Sequence, residues 1–273
     1  MSTAPVDGGP RRDVSARMHL HADGASQLIL SIAVAHGAPQ VDERLSVVQA
    51  GNEVDVHVVE QTLGTRLHVA DVGEGDVQVD YSATVHGSAP EARVSEADEI
   101  LYLRPSRYCE SDTLGPIALA EFHGLERSDL LTAVSSWVGT RLAYVPGSSL
   151  PTDGAVRTLL ARRGVCRDYA HLVVALLRAL DVPARVVSVY APGLSPMDFH
   201  AVAEAAVDGA WRVVDPTTLA PRSTLLRIAT GRDASDTAFL SVRGSRVTLQ
   251  DLEVSAIVDE LPVDDMDALV ALR

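Results

Sequence analysis

The sequence predicts an α+β fold, with a β-sandwich or barrel in front and helices followed by an antiparallel hairpin behind. Three observations carry that prediction. Apolar and polar residues alternate from about Ala16 to Leu103, the period of strands with one buried face. Apolar residues then recur at helical spacing from about Ser128 to Leu180. After Pro183, two β-branched runs flank Asp208-Gly209, one of the strongest short hairpin signals.

In the front part the alternation is clearest in Leu28, Leu30, Ile32 and Val34, in Val54, Val56 and Val58, and in Val77, Val79, Tyr81, Ala83 and Val85. Turn residues bound these runs at Ala22-Asp23-Gly24, Gly51-Asn52 and Gly73-Glu74-Gly75. Residues 1–15 are polar and read as a disordered N-terminus, and residues 16–103 read as one β-rich domain. Residues 104–125 read as a connector broken by Pro105, Gly115 and Pro116. Ser128 or Asp129 then caps a helix carrying Leu130, Leu131, Val134, Trp137 and Val138. Thr152 or Asp153 caps a second, with Val156, Leu159 and Leu160 inward. A third helix runs from about Cys166 to Leu180, with Ala170, Val173, Val174 and Leu177 on one stripe, and Pro183 stops it. The helices and hairpin make a domain over 126–220. Residues 221–273 read as a C-terminal β extension whose acidic stretch, Asp259 to Asp267, is expected to be mobile.

Composition removes several kinds of chemistry. The chain has 273 residues, 47% of them hydrophobic, enough to bury a sizeable core. Its net charge of -14 argues against a nucleic-acid or anionic-membrane surface, which needs clustered positive charge. The acidity sits at the two ends, and the segment between Arg127 and Arg212 is close to neutral. There is no lysine: all 23 basic residues are arginine. Schiff-base catalysis and a Walker-type phosphate loop, which need a lysine amine, are therefore excluded. Cys109 and Cys166 are too few for a disulfide framework. The N-terminus lacks the apolar run of a signal peptide. The longest apolar stretches, Leu28 to Ala35 and Leu172 to Leu177, fall short of the ~20 residues of a membrane-spanning helix. The expected compartment is the cytoplasm, with reduced thiols.

Cys166 follows Gly164-Val165 and opens a helix. A thiol there faces unpaired backbone N–H groups and the positive end of the helix dipole, which favour thiolate and oxyanion alike. The bland alternative is a small buried hydrophobe. The hairpin weighs against that alternative. With Asp208 and Gly209 as loop residues, Val207 pairs with Ala210 and Val202 falls opposite Asp215. Period-two geometry then makes His200 and Asp215 diagonal neighbours on one face, roughly 7–8 Å apart at the backbone. Asp215 would orient the imidazole of His200, which would take the proton of Cys166 and return it to a leaving amine. Glu204 shares that face and is the rival orienting carboxylate, further away along the hairpin. Asn52, the only asparagine, lies in the β-rich part, which disfavours a Cys-His-Asn arrangement.

At this point three ordered blocks resemble a known family. Arg163-Gly-Val-Cys166-Arg-Asp168-Tyr-Ala170 with Leu176 to Arg185, then His200-Ala-Val-Ala-Glu204, then Trp211-Arg-Val-Val-Asp215-Pro-Thr217, are similar to the nucleophile helix and the histidine and aspartate strands of bacterial transglutaminase-like proteins. The resemblance covers about Ser128 to Pro221. It implies a papain-like core in which the nucleophile helix packs on an antiparallel sheet, with Cys166, His200 and Asp215 as triad. It also implies amide hydrolysis or transamidation of a peptide or protein, with no metal or organic cofactor. The β-rich front resembles the N-terminal domain that often precedes such domains. One departure is Val202, where the family often has Trp; a smaller residue there would reshape the substrate channel.

Among other residues, Tyr144 and Val165 are candidates for oxyanion or cleft contacts, with core packing the alternative for Tyr144. His171 lies about 140° around the helix from Cys166 and is poorly placed as a base. Asp168 reads as a helix N-terminal charge, Cys109 as structural, and His19 with His21 as a weak metal-ligand pattern. Two other functions stay open: a non-catalytic protein-binding module on the same fold, and acyl transfer from a coenzyme thioester to an arylamine.

Overall fold

The computed structural model describes residues 9–37 and 40–273. The first half carries β1 (Arg11–Ala22), β2 (Ser26–Leu30), β3 (Gln40–Gln49), β4 (Asn52–Glu53), β5 (Val56–Glu60), β6 (Arg66–Val72) and β7 (Gly75–His86). Helices α1 (Glu96–Leu101), α2 (Ser111–Phe122) and α3 (Arg127–Arg141) follow. Next come β8 (Ala143–Tyr144), α4 (Ala155–Ala161), β9 (Arg163–Gly164) and α5 (Cys166–Ala179). The chain continues with β10 (Ala184–Tyr190), β11 (His200–Val207), β12 (Ala210–Val214) and β13 (Leu226–Gly231). It closes with α6 (Ala234–Thr237), β14 (Leu240–Gly244) and β15 (Val247–Val258).

Two sheets, in the orders β15-β1-β7-β3-β4 and β14-β2-β6-β5, share one apolar cluster. Strand β1 shows why: its even positions Val14, Ala16, Met18, Leu20 and Ala22 are buried while the residues between them are not. This is the expected sandwich, but its membership differs from the linear reading. Strands β14 and β15 belong to it, so residues 240–258 are not a separate extension. The strand alternation of β15 is weak in sequence because it lies at a sheet edge, with only Val254 and Ala256 buried. Strand β1 begins at Arg11 and not after residue 15, since β7 and β15 pair with it on both sides. Residues 1–8 of the expected disordered segment lie outside the described residues. Val58 is 48% exposed despite its alternation, because β5 is an edge strand. Strand β2 stops at Leu30; Ile32 and Val34 continue as buried chain, with Val34 N–H donating to the Tyr81 hydroxyl at 2.9 Å.

The second half is built around α5, buried at every position from Asp168 to Arg178. A helix apolar on all sides is a core helix: α2, α3 and α4 surround it, and the antiparallel sheet β12-β11-β10-β13 lies beneath. The one cation in that stretch, Arg178, gives its N–H groups to the carbonyls of Ala184, Arg104 and Arg232 at 2.7–3.0 Å. The expected connector is largely helical. Helix α2 runs through Gly115 and Pro116, since Leu114, Ala118 and Phe122 form a buried stripe whose packing outweighs the one hydrogen bond the proline forgoes. The cap of α3 is Glu126, ahead of Ser128 and Asp129, and that of α4 is Gly154, after Thr152 and Asp153. Leu160 points outward, 74% exposed.

The acidic stretch near the C-terminus is tied down, contrary to expectation. Arg222 donates to Asp264 at 2.9 Å and to the Asp265 carbonyl, Val213 N–H donates to the Val270 carbonyl at 2.8 Å, and Leu272 is 5% exposed. An otherwise open edge strand, β12, is thereby covered. The two halves also share a core: Tyr190, Leu226 and Ile228 of the second sheet pack in the sandwich cluster. The Tyr190 hydroxyl donates to the Ile32 carbonyl at 2.8 Å.

Candidate active site

Helix α5 starts where it does because of a reciprocal cap. Val165 is extended and Asp168, fully buried, accepts from Val165 N–H at 2.8 Å while Asp168 N–H donates to the Val165 carbonyl. Gly164 is required: a Cβ there would meet the Asp168 Cβ at 2.6 Å. Asp168 also accepts from the Ser149 hydroxyl at 2.5 Å and from Arg167 at 2.9 Å, welding the 149–150 loop to the helix head. Asp168 is thus a structural charge, as its position suggested. The cap leaves the Cys166 thiol half-buried at the first helical position.

The hairpin brings up the imidazole and carboxylate. Asp208 and Gly209 both have positive φ, the conformation of a type I′ turn, and Val207 pairs with Ala210 through to Ala203 with Val214. His200 opens β11 and Asp215 directly follows β12, so the register expected from the turn puts them together. His200 Nε2 lies 2.8 Å from Asp215 Oδ2, and both residues are 2% exposed. The other carboxylate oxygen, Oδ1, accepts from Thr217 N–H at 3.0 Å and from its hydroxyl at 2.7 Å. Thr217 was not singled out in the sequence; its signal was the Asp-x-Thr spacing, in which a side chain bonds the backbone two residues on.

Burial alone would neutralise this pair, lowering the imidazole and raising the carboxyl. The mutual charge and hydrogen bond outweigh it: His200 is pushed up to about 10 and Asp215 is held below the usual carboxylate range. The imidazolium form of His200 is thereby favoured. Its second nitrogen, Nδ1, is buried and makes no well-aligned hydrogen bond. The group beside it is the Cys166 thiol, which adds to the stabilisation of the protonated ring. Near but imperfect alignment is common at catalytic contacts before substrate binds.

Tyr144 completes the constellation. Strands β8 and β9 pair in parallel, Tyr144 opposite Gly164, which sets its phenol beside the nucleophile. The phenol is pushed up to about 12, first by burial and then by the charge of the neighbouring Cys166. At 40% exposure it is no core residue. Its ring leans on Tyr169 at 5.9 Å, and the Tyr169 hydroxyl is anchored on the Leu142 carbonyl at 2.9 Å.

Two expected cleft residues are elsewhere engaged. The Val165 N–H is consumed by Asp168 and cannot serve an oxyanion. Val202 is 1% exposed in a cluster with Val187, Val189 and Val213, so it lines no channel. The rival carboxylate Glu204 is fully engaged by Arg185 and Arg227, each at 2.7 Å, and lies well below the usual carboxylate range, at about 2. Cys109 is fully buried and pushed up to about 12 by that burial, which makes it unreactive. His171 is buried, accepts from Ala234 N–H at 3.0 Å and stacks on Tyr108, away from the thiol's proton path. His21 is hydrogen-bonded to Asp76 at 2.6 Å.

Residues 123–216 match the family described as the transglutaminase-like superfamily. A solved structure of a candidate cysteine protease from Cytophaga hutchinsonii superposes with a TM-score of 0.85 at 29% identity, covering 95% of this chain and 96% of that one. An uncharacterized protein of Mycobacterium leprae is 28% identical over 182 residues, 62% of this chain and 63% of its own. An uncharacterized protein of Mycobacterium tuberculosis is 40% identical over 62 residues, 23% of this chain and 20% of its own. The matched regions thus span less than two thirds of these mycobacterial relatives. The segment of closest family likeness ends at Pro216, beside Asp215, and encloses Tyr144, Cys166 and His200. Residues 123–216 thus form a transglutaminase-like domain, and a β-sandwich is joined to it.

Proposed function

We propose that this protein is a thiol-dependent enzyme acting on amide bonds of peptides or proteins through Cys166, His200 and Asp215. One observation carries the reading: the half-buried thiol at the head of α5 acts on the ring of His200, whose Nε2 a buried carboxylate holds at 2.8 Å and whose Nδ1 has no other hydrogen-bond partner. A structural ion pair has no need of the thiol; a nucleophile does.

In the proposed cycle the Cys166 sulfur attacks the amide carbonyl carbon. The carbonyl oxygen becomes an oxyanion, met by the Cys166 N–H and the Tyr144 hydroxyl. His200 gives its proton to the leaving amine as the carbon–nitrogen bond breaks, leaving a thioester on Cys166. Neutral His200 then takes a proton from water, for hydrolysis, or from an amine, for transamidation, as the new bond to the carbonyl carbon forms and the carbon–sulfur bond breaks, which frees the Cys166 sulfur and restores the imidazolium. Asp215 stays ionised and holds the ring through both steps. The cleft chemistry asks for no metal or organic cofactor. The two free cysteines support placement in a reducing compartment such as the cytoplasm, which fractionation of the host cell would test. No helix among the described residues is long and apolar enough to cross a membrane.

The test uses p-nitrophenyl acetate and intact-mass measurement. An enzyme should release a burst of nitrophenolate and gain one acetyl group on Cys166, and Cys166→Ser should lose both. A non-catalytic module on this fold would show neither.

A further inference from the structure

Helix α3 carries a glycine, Gly139, that nothing in its own backbone requires. It lies inside the helix and is not among the glycines of positive φ, and glycine is a poorer helix former than any residue but proline. What requires it is a neighbour. A Cβ at Gly139 would stand 2.8 Å from the carbonyl oxygen of Pro216 and 3.7 Å from the Pro216 Cβ. Backbone cannot swing aside as the end of a long side chain can, so the first of these contacts would force one element to move. The helix is the less able to do so. Leu130, Leu131, Val134 and Val138 seat it in the core around α5, and Trp137 packs on Phe122 at 5.8 Å and donates to Glu121 at 2.8 Å.

Pro216 directly follows Asp215, and its ring fixes φ, so a push on its carbonyl passes to the residue that bears the carboxylate. On the other side Thr217 folds back and gives its N–H and hydroxyl to Asp215 Oδ1. We propose that Gly139 is a positioning residue for Asp215: the missing side chain lets the Pro216 carbonyl seat against α3, and that seat fixes where the carboxylate stands against His200. The 2.8 Å contact between His200 and Asp215 thus has a support outside the sheet, in addition to the hairpin register. Asp215, Cys166 and Asp198 are the charges that act on His200, and only the first rests on this seat. The inference rests on the proposed triad.

Iodoacetamide alkylation of Cys166, followed in the intact protein across about pH 5–11, reads the carboxylate's position without a substrate. A thiolate paired with an imidazolium alkylates below neutral pH and speeds up again where the imidazolium loses its proton. Gly139→Ala should move that alkaline step down by about one pH unit, as expected for weakening one charged hydrogen bond. Gly115→Ala, in α2 with nothing within 4 Å of the added methyl, should leave it unmoved. Pro216→Ala puts no atom against α3 but frees the chain after Asp215. It should shift the step the same way, and it decides the matter if Gly139→Ala does not fold. A step unmoved in Gly139→Ala, unmoved in Pro216→Ala where only that variant folds, or moved equally by Gly115→Ala would overturn the proposal. An unaltered protein whose Cys166 shows a single step, near the ~8.5 of a free thiol, would instead overturn the triad itself.

Discussion

At Asp215, two kinds of partner do different work. His200 supplies charge, and Thr217 supplies two hydrogen bonds that keep the carboxylate aimed. In Asp215→Asn the charge goes while the shape stays, and burial, which opposes the imidazolium, becomes the dominant influence on His200. The wild-type pH–rate profile should hold until pH rises through about 10, where His200 loses the proton it must donate. In Asp215→Asn that alkaline limb should move toward neutral pH. The stability linkage has the same sign: the raised His200 contributes fully below its unfolded value of about 6.5 and loses that contribution as pH climbs through about 10. The depressed Asp215 contributes above about 4 and loses it on acidification. Thr217→Val removes a hydroxyl bond to a buried carboxylate and should cost about 1.5–3 kcal/mol in thermal denaturation. Tyr144→Phe leaves the ring on Tyr169 but removes a donor to the oxyanion, so kcat should fall about a hundredfold with the melting temperature unchanged.

Among the elements, the hairpin was the most legible. A two-residue Asp-Gly loop fixes register, and register alone places His200 beside Asp215. Helix α5 was legible too, because a buried core helix needs the apolar residues its sequence shows. What escaped was information held between elements. Tyr144 reaches Cys166 only through the parallel pairing of β8 with β9, two residues each, which leaves no periodic trace. The Val165 N–H looked available until Asp168 was seen to fold back on it, and Val202 looked channel-facing until the second sheet cluster enclosed it. Helix α2 hid behind Gly115 and Pro116 because breaker residues speak of local preference while tertiary burial decides. Gly164→Ala forces a methyl onto Asp168 and should cost about 1–3 kcal/mol by denaturant unfolding. Glu204→Gln strands two arginines, one of them fully buried, and should cost about 3–5 kcal/mol with the triad groups untouched.

Over the whole molecule, the chain closes on itself. The sandwich takes its last strands, β14 and β15, from beyond the transglutaminase-like domain, so the sandwich is not contiguous in sequence. Composition reveals how much apolar residue there is to bury, and it is silent on which distant strands share a sheet. The C-terminal segment then returns to β12, the strand that delivers Asp215, through Arg222 with Asp264 and Val213 with Val270. Arg222→Ala should loosen that strap, exposing residues beyond Val258 to limited proteolysis while the sandwich stays protected.

The chemistry depends on whether an imidazolium held by Asp215 activates the sulfur of Cys166, and alkylation with iodoacetamide followed by peptide mapping reads this directly. Near-neutral labelling should fall on Cys166 while Cys109, sealed in the core, stays unmodified until the protein unfolds. His200→Ala should slow the Cys166 reaction by at least about tenfold. Equal, slow labelling of the two thiols, indifferent to His200, would contradict the assignment of Cys166 as nucleophile.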